Sequence, residues 1–484
     1  MRLTWVQPED LLPHQLHQSH TEGVDTADIE SRWLHAGGTT TAPVSGASDK
    51  PAPPVLRALA QDLLDELDAR APQWIPPAIP QLPLLPSGSP GPEVKAHPGA
   101  PVGGAASLRS PQVGDPERAA PGPASLRSPG ESALAGPPAD ERRVLNAWLG
   151  RAAGCLLGKP VEKIPREGIR EILQSSGQWP LSEYVSGVGV PEEVQARWPW
   201  NRRSRPTSLR EVIDGMPEDD DLNFAILALQ MVEKHGDGLT TEDVAQAWLD
   251  ELPGGRVFTA ERVAYRNLLE GVEPERAGVV RNPFREWIGA QIRTDVYGWV
   301  HPGDRSAAAR LALVDARLSH TGAGVDGALW VAAMSAAAMV LDDPREVAEA
   351  ALEVISENGE IAKAVRFGLD LADDPLDDAL DRLHAEYGHL HWVHSVNNSA
   401  LTAYALTAPD FGTGICRAVM GGWDTDSAGA TTGAVLGAVF GVPAEWSRPL
   451  KDRLATSLPG MDQIAISELA RRTVEAASMV GERG

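Results

Sequence analysis

The segment 421–441, GGWDTDSAGATTGAVLGAVFG, constrains the fold more than any other part of this chain. Glycine recurs there at every fourth residue, at Gly429, Gly433, Gly437 and Gly441, with alanine beside the first three. Glycine weakens an isolated helix, but a glycine row of this period lets a second helix approach backbone to backbone. The segment therefore predicts a central, buried helix in close contact with another helix.

Helical spacing of apolar residues continues through most of the C-terminal part. A stripe from Leu145 to Leu156 follows Asp140, a good N-cap residue. Apolar residues make up 42% of the chain and aromatic residues only 5%, a composition that suits closely packed helices better than sheets. No run of alternating apolar and polar residues competes with the helical pattern. We therefore predict an all-α fold with one compact multi-helix domain. Further helices are expected near 221–235, 241–251, 259–270, 305–319, 325–341, 344–355, 376–387, 397–407, 427–440 and 462–479.

Proline divides the chain into three parts. Residues 72–138 contain 17 of the 40 prolines, which is typical of a flexible or polyproline-like linker. We predict an N-terminal helical region of unknown role at 1–71, a Pro-rich flexible linker at 72–139 and the main helical domain at 140–484. A helix with an apolar face from Val55 to Leu67 is expected to dock on the main domain or on a partner.

The net charge of −24 argues against a nucleic-acid-binding surface and against docking on anionic lipid. Only Cys155 and Cys416 occur, so no disulfide framework is expected. The first twelve residues contain acids where a signal peptide needs apolar residues. The apolar run 327–341 is shorter than the roughly 20 residues that span a bilayer. These features predict a cytoplasmic protein without a membrane segment.

Three acidic features could carry chemistry. Four consecutive acids, Glu218 to Asp221, precede an apolar helix, and Asp424 and Asp426 open the glycine-rich helix. Glu162 follows the helix that starts near Asp140, in GCLLGKPVE. Crowded carboxylates repel one another, and oxygen ligands of this kind suit Mg²⁺, Mn²⁺ or Ca²⁺. The alternatives are a solvated acidic cap at the first cluster, helix capping at the second and a surface position for Glu162.

Taken together, these three motifs resemble the ADP-ribosylglycohydrolase family, which includes the dinitrogenase reductase-activating glycohydrolases. The resemblance covers about 143–446 and implies an all-helical domain with a binuclear centre that holds two Mg²⁺ ions, or Mn²⁺. Family members usually have Thr-Asp-Asp-Thr in the first cluster, so Glu218 and Asp221 replace both threonines. Lys159 stands where many members have a small residue. The metal ligands that the resemblance implies are Glu218, Asp219, Asp220, Asp424, Asp426 and Ser427.

The same resemblance implies catalytic roles for Glu162 and Asp220. The stretch SHTGAGVDG from Ser319 is similar to the family's middle motif, which lines the ligand cleft. His320, Gly322 and Gly324 are therefore expected to contact substrate. The alternative for His320 is a core histidine with a hydrogen bond to the backbone.

The expected function is Mg²⁺-dependent hydrolysis of a ribosyl glycosidic bond, acting on an ADP-ribosylated protein or a ribosylated small molecule. Two alternatives stay open. One is a degenerate relative that binds ADP-ribose or a partner without cleavage. The other is a zinc hydrolase based on His389, His391 and His394, although their spacing lacks the helical pair typical of zinc ligands.

Overall fold

The computed structural model describes residues 6–42, 46–48, 50–86 and 137–481. Within these ranges the regular structure is helical, and extended backbone pairs only in three isolated bridges, such as that between Met216 and Leu454. The predicted all-α fold is confirmed. No helix in the described part of the chain is both long and apolar enough to cross a bilayer.

Among the described residues, three helices precede the proline-rich segment and nineteen follow it. The N-terminal helices are α1 (Pro8–Thr21), α2 (Ala27–His35) and α3 (Pro54–Arg70). The helices of the main domain are α4 (Glu141–Gly158), α5 (Arg166–Ser175), α6 (Glu192–Arg197), α7 (Arg205–Ser208), α8 (Asp220–His235), α9 (Thr241–Glu251), α10 (Thr259–Leu269), α11 (Pro274–Ala277), α12 (Asp295–Trp299), α13 (Arg305–Ala316), α14 (Gly322–Ala338), α15 (Pro344–Ala350), α16 (Glu360–Asp370), α17 (Leu376–Tyr387), α18 (Ser395–Leu406), α19 (Phe411–Met420), α20 (Thr425–Phe440), α21 (Ala444–Ser447) and α22 (Ile466–Gly481). Short 3₁₀ segments lie at Lys159–Val161, Gly236–Gly238, Gly254–Arg256, Ile288–Arg293, Ala351–Val354 and Arg448–Leu450.

Helices α4 and α20 form the central pair, and they run antiparallel. A Cβ atom built on Gly154 would lie 1.9 Å from the carbonyl oxygen of Gly429, and one built on Gly150 would lie 2.0 Å from that of Gly433. At the far end, Thr425 Oγ1 donates to the carbonyl oxygen of Gly158 at 2.9 Å. The predicted backbone-to-backbone contact is therefore present, and it brings the end of α4 to the beginning of α20.

The N-terminal region is docked on the main domain. Leu63, Leu64 and Leu67 of α3 are buried. The side chain of Asp68 accepts a hydrogen bond from the backbone N–H of Arg281 at 2.8 Å. Helix α3 packs mainly against α1 of its own region, and its polar contact with Arg281 joins it to the main domain.

The Pro-rich segment differs in part from the predicted flexible linker. Leu82 N donates to Ser306 Oγ at 2.9 Å, and Ser306 Oγ donates to the carbonyl oxygen of Pro80 at 2.8 Å. Leu85 N donates to the carbonyl oxygen of Gly303 at 3.2 Å. Proline lacks an N–H but keeps a carbonyl acceptor, so extended chain can still be held on a helix end. Residues 87–136 of the predicted linker lie outside the described residues.

The contact between α4 and α20 predicts that Gly154→Ala destabilises the protein. The added methyl group would clash with backbone, which cannot rotate away as a side chain can. We expect a loss of about 2 kcal/mol or more in unfolding free energy, although alanine gains about 1 kcal/mol in helix propensity. Urea unfolding checks this value. Gly238→Ala is the matched control, because nothing lies within 4 Å of its added Cβ; an equal loss in both variants would contradict the prediction.

Candidate functional site

The turn after α4 presents Glu162. Residues Lys159–Val161 form one 3₁₀ turn, and the backbone N–H of Glu162 donates to the carbonyl oxygen of Gly158 at 3.1 Å. Asn201 Nδ2 donates to Glu162 Oε2 at 2.5 Å, and Lys163 Nζ lies 2.8 Å from Glu162 Oε1. The Glu162 side chain is 17% exposed, so its carboxylate is held by two donors but still reaches the cavity described below.

The beginning of α20 presents two buried aspartates. Gly422 and Trp423 both have positive φ, at 78° and 58°, and this turn leads into Asp424. Asp424 holds the N-cap position but makes no side-chain capping bond, so the capping alternative does not account for it. Asp426 follows in the first turn of the helix, where the partial positive charge of the helix end favours a carboxylate.

Glu162, Asp424 and Asp426 come together. One carboxylate oxygen of each lies within 4.8 Å of those of the other two. Burial and the nearby Glu162 raise the pKa of Asp426 to about 7, and burial together with Asp426 raises the pKa of Asp424 well above its ordinary value. These raised pKa values express the cost of burying negative charges and of placing them close together, which a divalent cation would relieve. The donor set is all oxygen and fits a hard cation such as Mg²⁺ or Mn²⁺.

A second group lies beside the first and includes Cys155, Asp219 and Asp221, which also have possible ligand atoms within 4.8 Å of one another. Here the structure adds a cation of its own. The Lys159 ammonium forms an ion pair with Asp219 Oδ2 and donates to the carbonyl oxygen of Glu218 at 3.2 Å. Burial would lower the pKa of Lys159, but Asp219, Cys155 and Asp426 together outweigh burial and raise that pKa above its ordinary value.

Asp219, Asp220 and Asp221 have different surroundings. Asp219 caps α8, since its Oδ1 accepts from the backbone N–H of Asp221 at 3.0 Å. Burial and Asp219 raise the pKa of Asp220 and of Asp221 well above ordinary values. Asp221 Oδ2 accepts from Ser427 Oγ at 3.2 Å, so Ser427 links the two acidic groups. Asp221 Oδ1 is buried without a hydrogen bond.

The structure directs the Glu218 side chain elsewhere. Asn223 Nδ2 donates to Glu218 Oε1 at 3.0 Å, and Arg256 Nη1 lies 3.2 Å from Glu218 Oε2. The Glu218 side chain is 26% exposed. Its link to the acidic group is its backbone carbonyl oxygen, which accepts a hydrogen bond from the Lys159 ammonium. Asp221 takes the buried position instead, because Asp219 and not Glu218 caps the helix.

The proposed substrate residues are not brought to this site. His320 is fully buried, its Nδ1 lies 2.8 Å from Ser319 Oγ, and burial and the Arg293 charge lower its pKa well below the ordinary value. Gly322 and Gly324 pack against 285–286, where an added Cβ would lie 2.1 Å from Glu286 Oε1 or 2.4 Å from the carbonyl oxygen of Arg285. None of the three lines the cavity that contains the acids. The structure does not place these three residues beside the acids, and their contact with substrate stays a prediction.

The acids face a cavity of about 1680 Å³. Its walls come from both the main domain and the N-terminal region, whose α1 supplies Pro13, His14, His17 and Gln18. His391 stacks on Trp287 with ring centroids 4.1 Å apart, giving an aromatic wall. The basic side chains on the wall are Lys159, Lys163, Arg202, Arg203, Arg256 and Arg262.

The histidines of the alternative zinc site do not gather as ligands. His391 Nδ1 accepts from the backbone N–H of Val393 at 3.3 Å, and His394 Nδ1 accepts from that of Val396 at 3.2 Å. Across the described residues, two groups of side chains are spaced to hold a metal, and neither contains a histidine. The structure therefore gives the zinc alternative no support.

Sequence reasoning missed the residue that holds α4 to α8. Arg151 is fully buried, with Nη1 2.7 Å from Asp295 Oδ2 and Nη2 donating to the carbonyl oxygens of Asp221 and Ile292. Its Nη2 also lies 3.7 Å from Asp221 Oδ1. The only sequence signal was a charged residue inside an apolar stripe, which is uncommon unless the charge is paired.

Comparison with known proteins identifies the family. The model of the ADP-ribosylglycohydrolase family matches residues 136–482, and the chain therefore belongs to that family. An uncharacterized protein of Archaeoglobus fulgidus is 28% identical over 328 residues, which cover 66% of this chain and 96% of the relative. A solved structure described as an ADP-ribosylglycohydrolase-related protein complex aligns at 21% identity and a TM-score of 0.45, covering 70% of this chain and 98% of the other. Family membership supports a glycoside hydrolase activity in the broad sense.

The surroundings of Arg151 predict that Arg151→Met is strongly destabilising. Removing the guanidinium leaves the buried carboxylate of Asp295 without its cation, a change that typically costs about 3–5 kcal/mol. Urea unfolding followed by far-ultraviolet circular dichroism measures the loss. Arg471→Met, which removes an exposed arginine paired with Glu468, should leave the midpoint nearly unchanged. Similar midpoints for the two variants would show that the buried network contributes little.

Proposed function

We propose that the protein is a divalent-cation-dependent hydrolase that cleaves a ribosyl glycosidic bond and releases ADP-ribose from a modified protein or small molecule. The observation that carries this proposal is the group of Glu162, Asp424 and Asp426, which lies on the wall of a large cavity in a member of the ADP-ribosylglycohydrolase family. A cytoplasmic location also stays a prediction, based on two buried cysteines that form no disulfide.

Glu162, Asp424 and Asp426 would hold the cation, with Mg²⁺ the expected ion and Mn²⁺ an alternative. Bound there, the cation would grip ribose hydroxyls and lower the pKa of an attacking water. Of the other ligands implied by the family resemblance, Asp220 lines the same cavity and Ser427 reaches it between the two acidic groups.

The chain's own residues have definite tasks in this mechanism. Departure of a group from ribose C1 builds positive charge on the sugar, which nearby carboxylates stabilise. Glu162 orients the attacking water or accepts its proton, while Asn201 and Lys163 fix the position of the carboxylate. Asp220, the second residue assigned a catalytic role, faces the same cavity and contributes negative charge there.

The cavity wall suits a ligand with anionic and aromatic parts. Arg203 and Arg262 both lie over the ring of Phe258, at 5.6 and 5.1 Å, and provide positive charge for a pyrophosphate. The stacked pair of His391 and Trp287 offers a flat surface for a base. These features support ADP-ribose as the recognised group, whereas the acceptor is left open.

The role of Glu162 predicts that Glu162→Gln lowers the rate of hydrolysis by about 10² to 10⁴, the range typical of a lost general base. Glutamine keeps the shape and can still bond Asn201, so folding should be preserved. The measurement is turnover of a panel of ADP-ribosylated and simple ribosylated compounds with and without Mg²⁺. Glu468→Gln on exposed α22 is the control. Full Mg²⁺-dependent activity in a folded Glu162→Gln protein would overturn the assignment.

One observation favours a second function, binding without cleavage. The Lys159 ammonium occupies part of the acidic centre, where it neutralises Asp219. Calorimetry with ADP-ribose beside a turnover assay separates the two functions. For the hydrolase we expect Mg²⁺-dependent turnover, and tight binding without turnover on any member of the panel would establish the binding protein instead.

A further inference from the structure

Lys159 changes the number of cations that this centre can hold. We propose that its ammonium acts as a permanent, built-in cation of the acidic centre, and that the protein binds one divalent cation, at Glu162, Asp424 and Asp426, in place of two. This inference rests on the cation site of the proposed function and concerns its stoichiometry, which the hydrolase assignment by itself leaves open.

The first argument is the use of carboxylate oxygens in the group of Cys155, Asp219 and Asp221. Asp219 Oδ2 is paired with the Lys159 ammonium, and Asp219 Oδ1 accepts from the backbone N–H of Asp221. Asp221 Oδ2 accepts from Ser427 Oγ, and its Oδ1 lies 3.7 Å from Arg151 Nη2. Three of the four carboxylate oxygens thus already have hydrogen-bond donors of the protein, and the fourth, Asp221 Oδ1, has no hydrogen bond but lies near the Arg151 guanidinium.

The second argument is charge and position. Lys159 is 5% exposed, and its ammonium is fixed by Asp219 and by the carbonyl oxygen of Glu218. A divalent cation on Asp219 would lie within a few ångströms of this ammonium, and like charges at such separations inside a protein repel strongly. The remaining group member, Cys155, is fully buried, and its sulfur is a soft donor that suits Mg²⁺ or Mn²⁺ poorly.

In the part of the chain that the structure describes, no buried ammonium or guanidinium forms an ion pair with a member of the other group. The basic side chain that contacts it is Lys163, which is 61% exposed and touches only Glu162 among the three acids. Asp424 and Asp426 are buried beside each other, and no ion pair of the described residues includes either carboxylate. The single divalent cation is therefore assigned to this group.

The test is the binding of Mn²⁺ to metal-free protein, measured by isothermal calorimetry and native mass spectrometry and by electron paramagnetic resonance. For the wild type we expect one Mn²⁺ per chain and the spectrum of an isolated ion. Lys159→Ala removes both the charge and the bulk of the side chain, so we expect a second ion and the spectrum of a coupled pair. Lys363→Met, at an exposed lysine paired with Glu360, should bind one ion like the wild type.

A further variant, Asp424→Asn, locates the ion and should reduce binding in the wild-type background by at least tenfold. Two ions in the wild type would overturn the inference and leave the proposed hydrolase intact, whereas no ion at all would overturn both. A folded Lys159→Ala protein that still binds one ion would show that Lys159 does not occupy a cation position. The wild-type stoichiometry decides the proposal even where Lys159→Ala does not fold.

Discussion

The rest of the site depends on the close antiparallel contact of α4 and α20. Because Gly154 faces Gly429 and Gly158 faces Thr425, the end of one helix is fixed against the beginning of the other. Glu162 and Asp424, 262 positions apart in the chain, meet for this reason alone. A shift of α4 along α20 by one helical turn would move Glu162 and Asp424 about 5.4 Å relative to each other and separate their carboxylates. Glycine is required because any larger residue would hold the backbones apart.

Internal cations determine where the negative charge of the centre is left unbalanced. A buried charge is tolerated when it is paired, and the protein meets this condition with Arg151 at Asp295 and with Lys159 at Asp219. Both cations lie on the side of α8, so the imbalance falls at the beginning of α20. The net charge of −24 does not indicate where the unbalanced charge of the centre lies. Most acids on the surface are solvated and contribute little to the electric field inside the cavity.

The sequence was most informative where a residue pattern has one geometric solution. The glycine row predicted α20 and its close partner, and the structure brings Asp424 and Asp426 at the start of α20 together with Glu162. Four consecutive acids do not show by their spacing which of them begins the helix. Whether Glu218 or Asp221 is buried depends on which residue caps α8, and the structure shows that this residue is Asp219. For His320, the sequence motif predicts its place in the loop before α14 but not whether its ring points into the cavity or into the core, and the structure buries it. Among the helices of nine or more residues in the described part of the chain, α1, α2, α5, α16 and α19 were not predicted.

The N-terminal region shows why family membership alone cannot define the ligand. The family model begins at residue 136, yet α1 forms part of the cavity wall. It is held there by the ion pair of Glu22 with Arg285 at 2.6 Å and by Gln18 Nε2, which donates to Glu286 Oε2 at 3.0 Å. In the proposed mechanism, the residues assigned to cleavage lie around the end of α4 and the beginnings of α8 and α20, all inside the family region. We therefore expect the surface that α1 presents to influence which ligand enters the cavity, and that surface belongs to a part of the chain outside the family region.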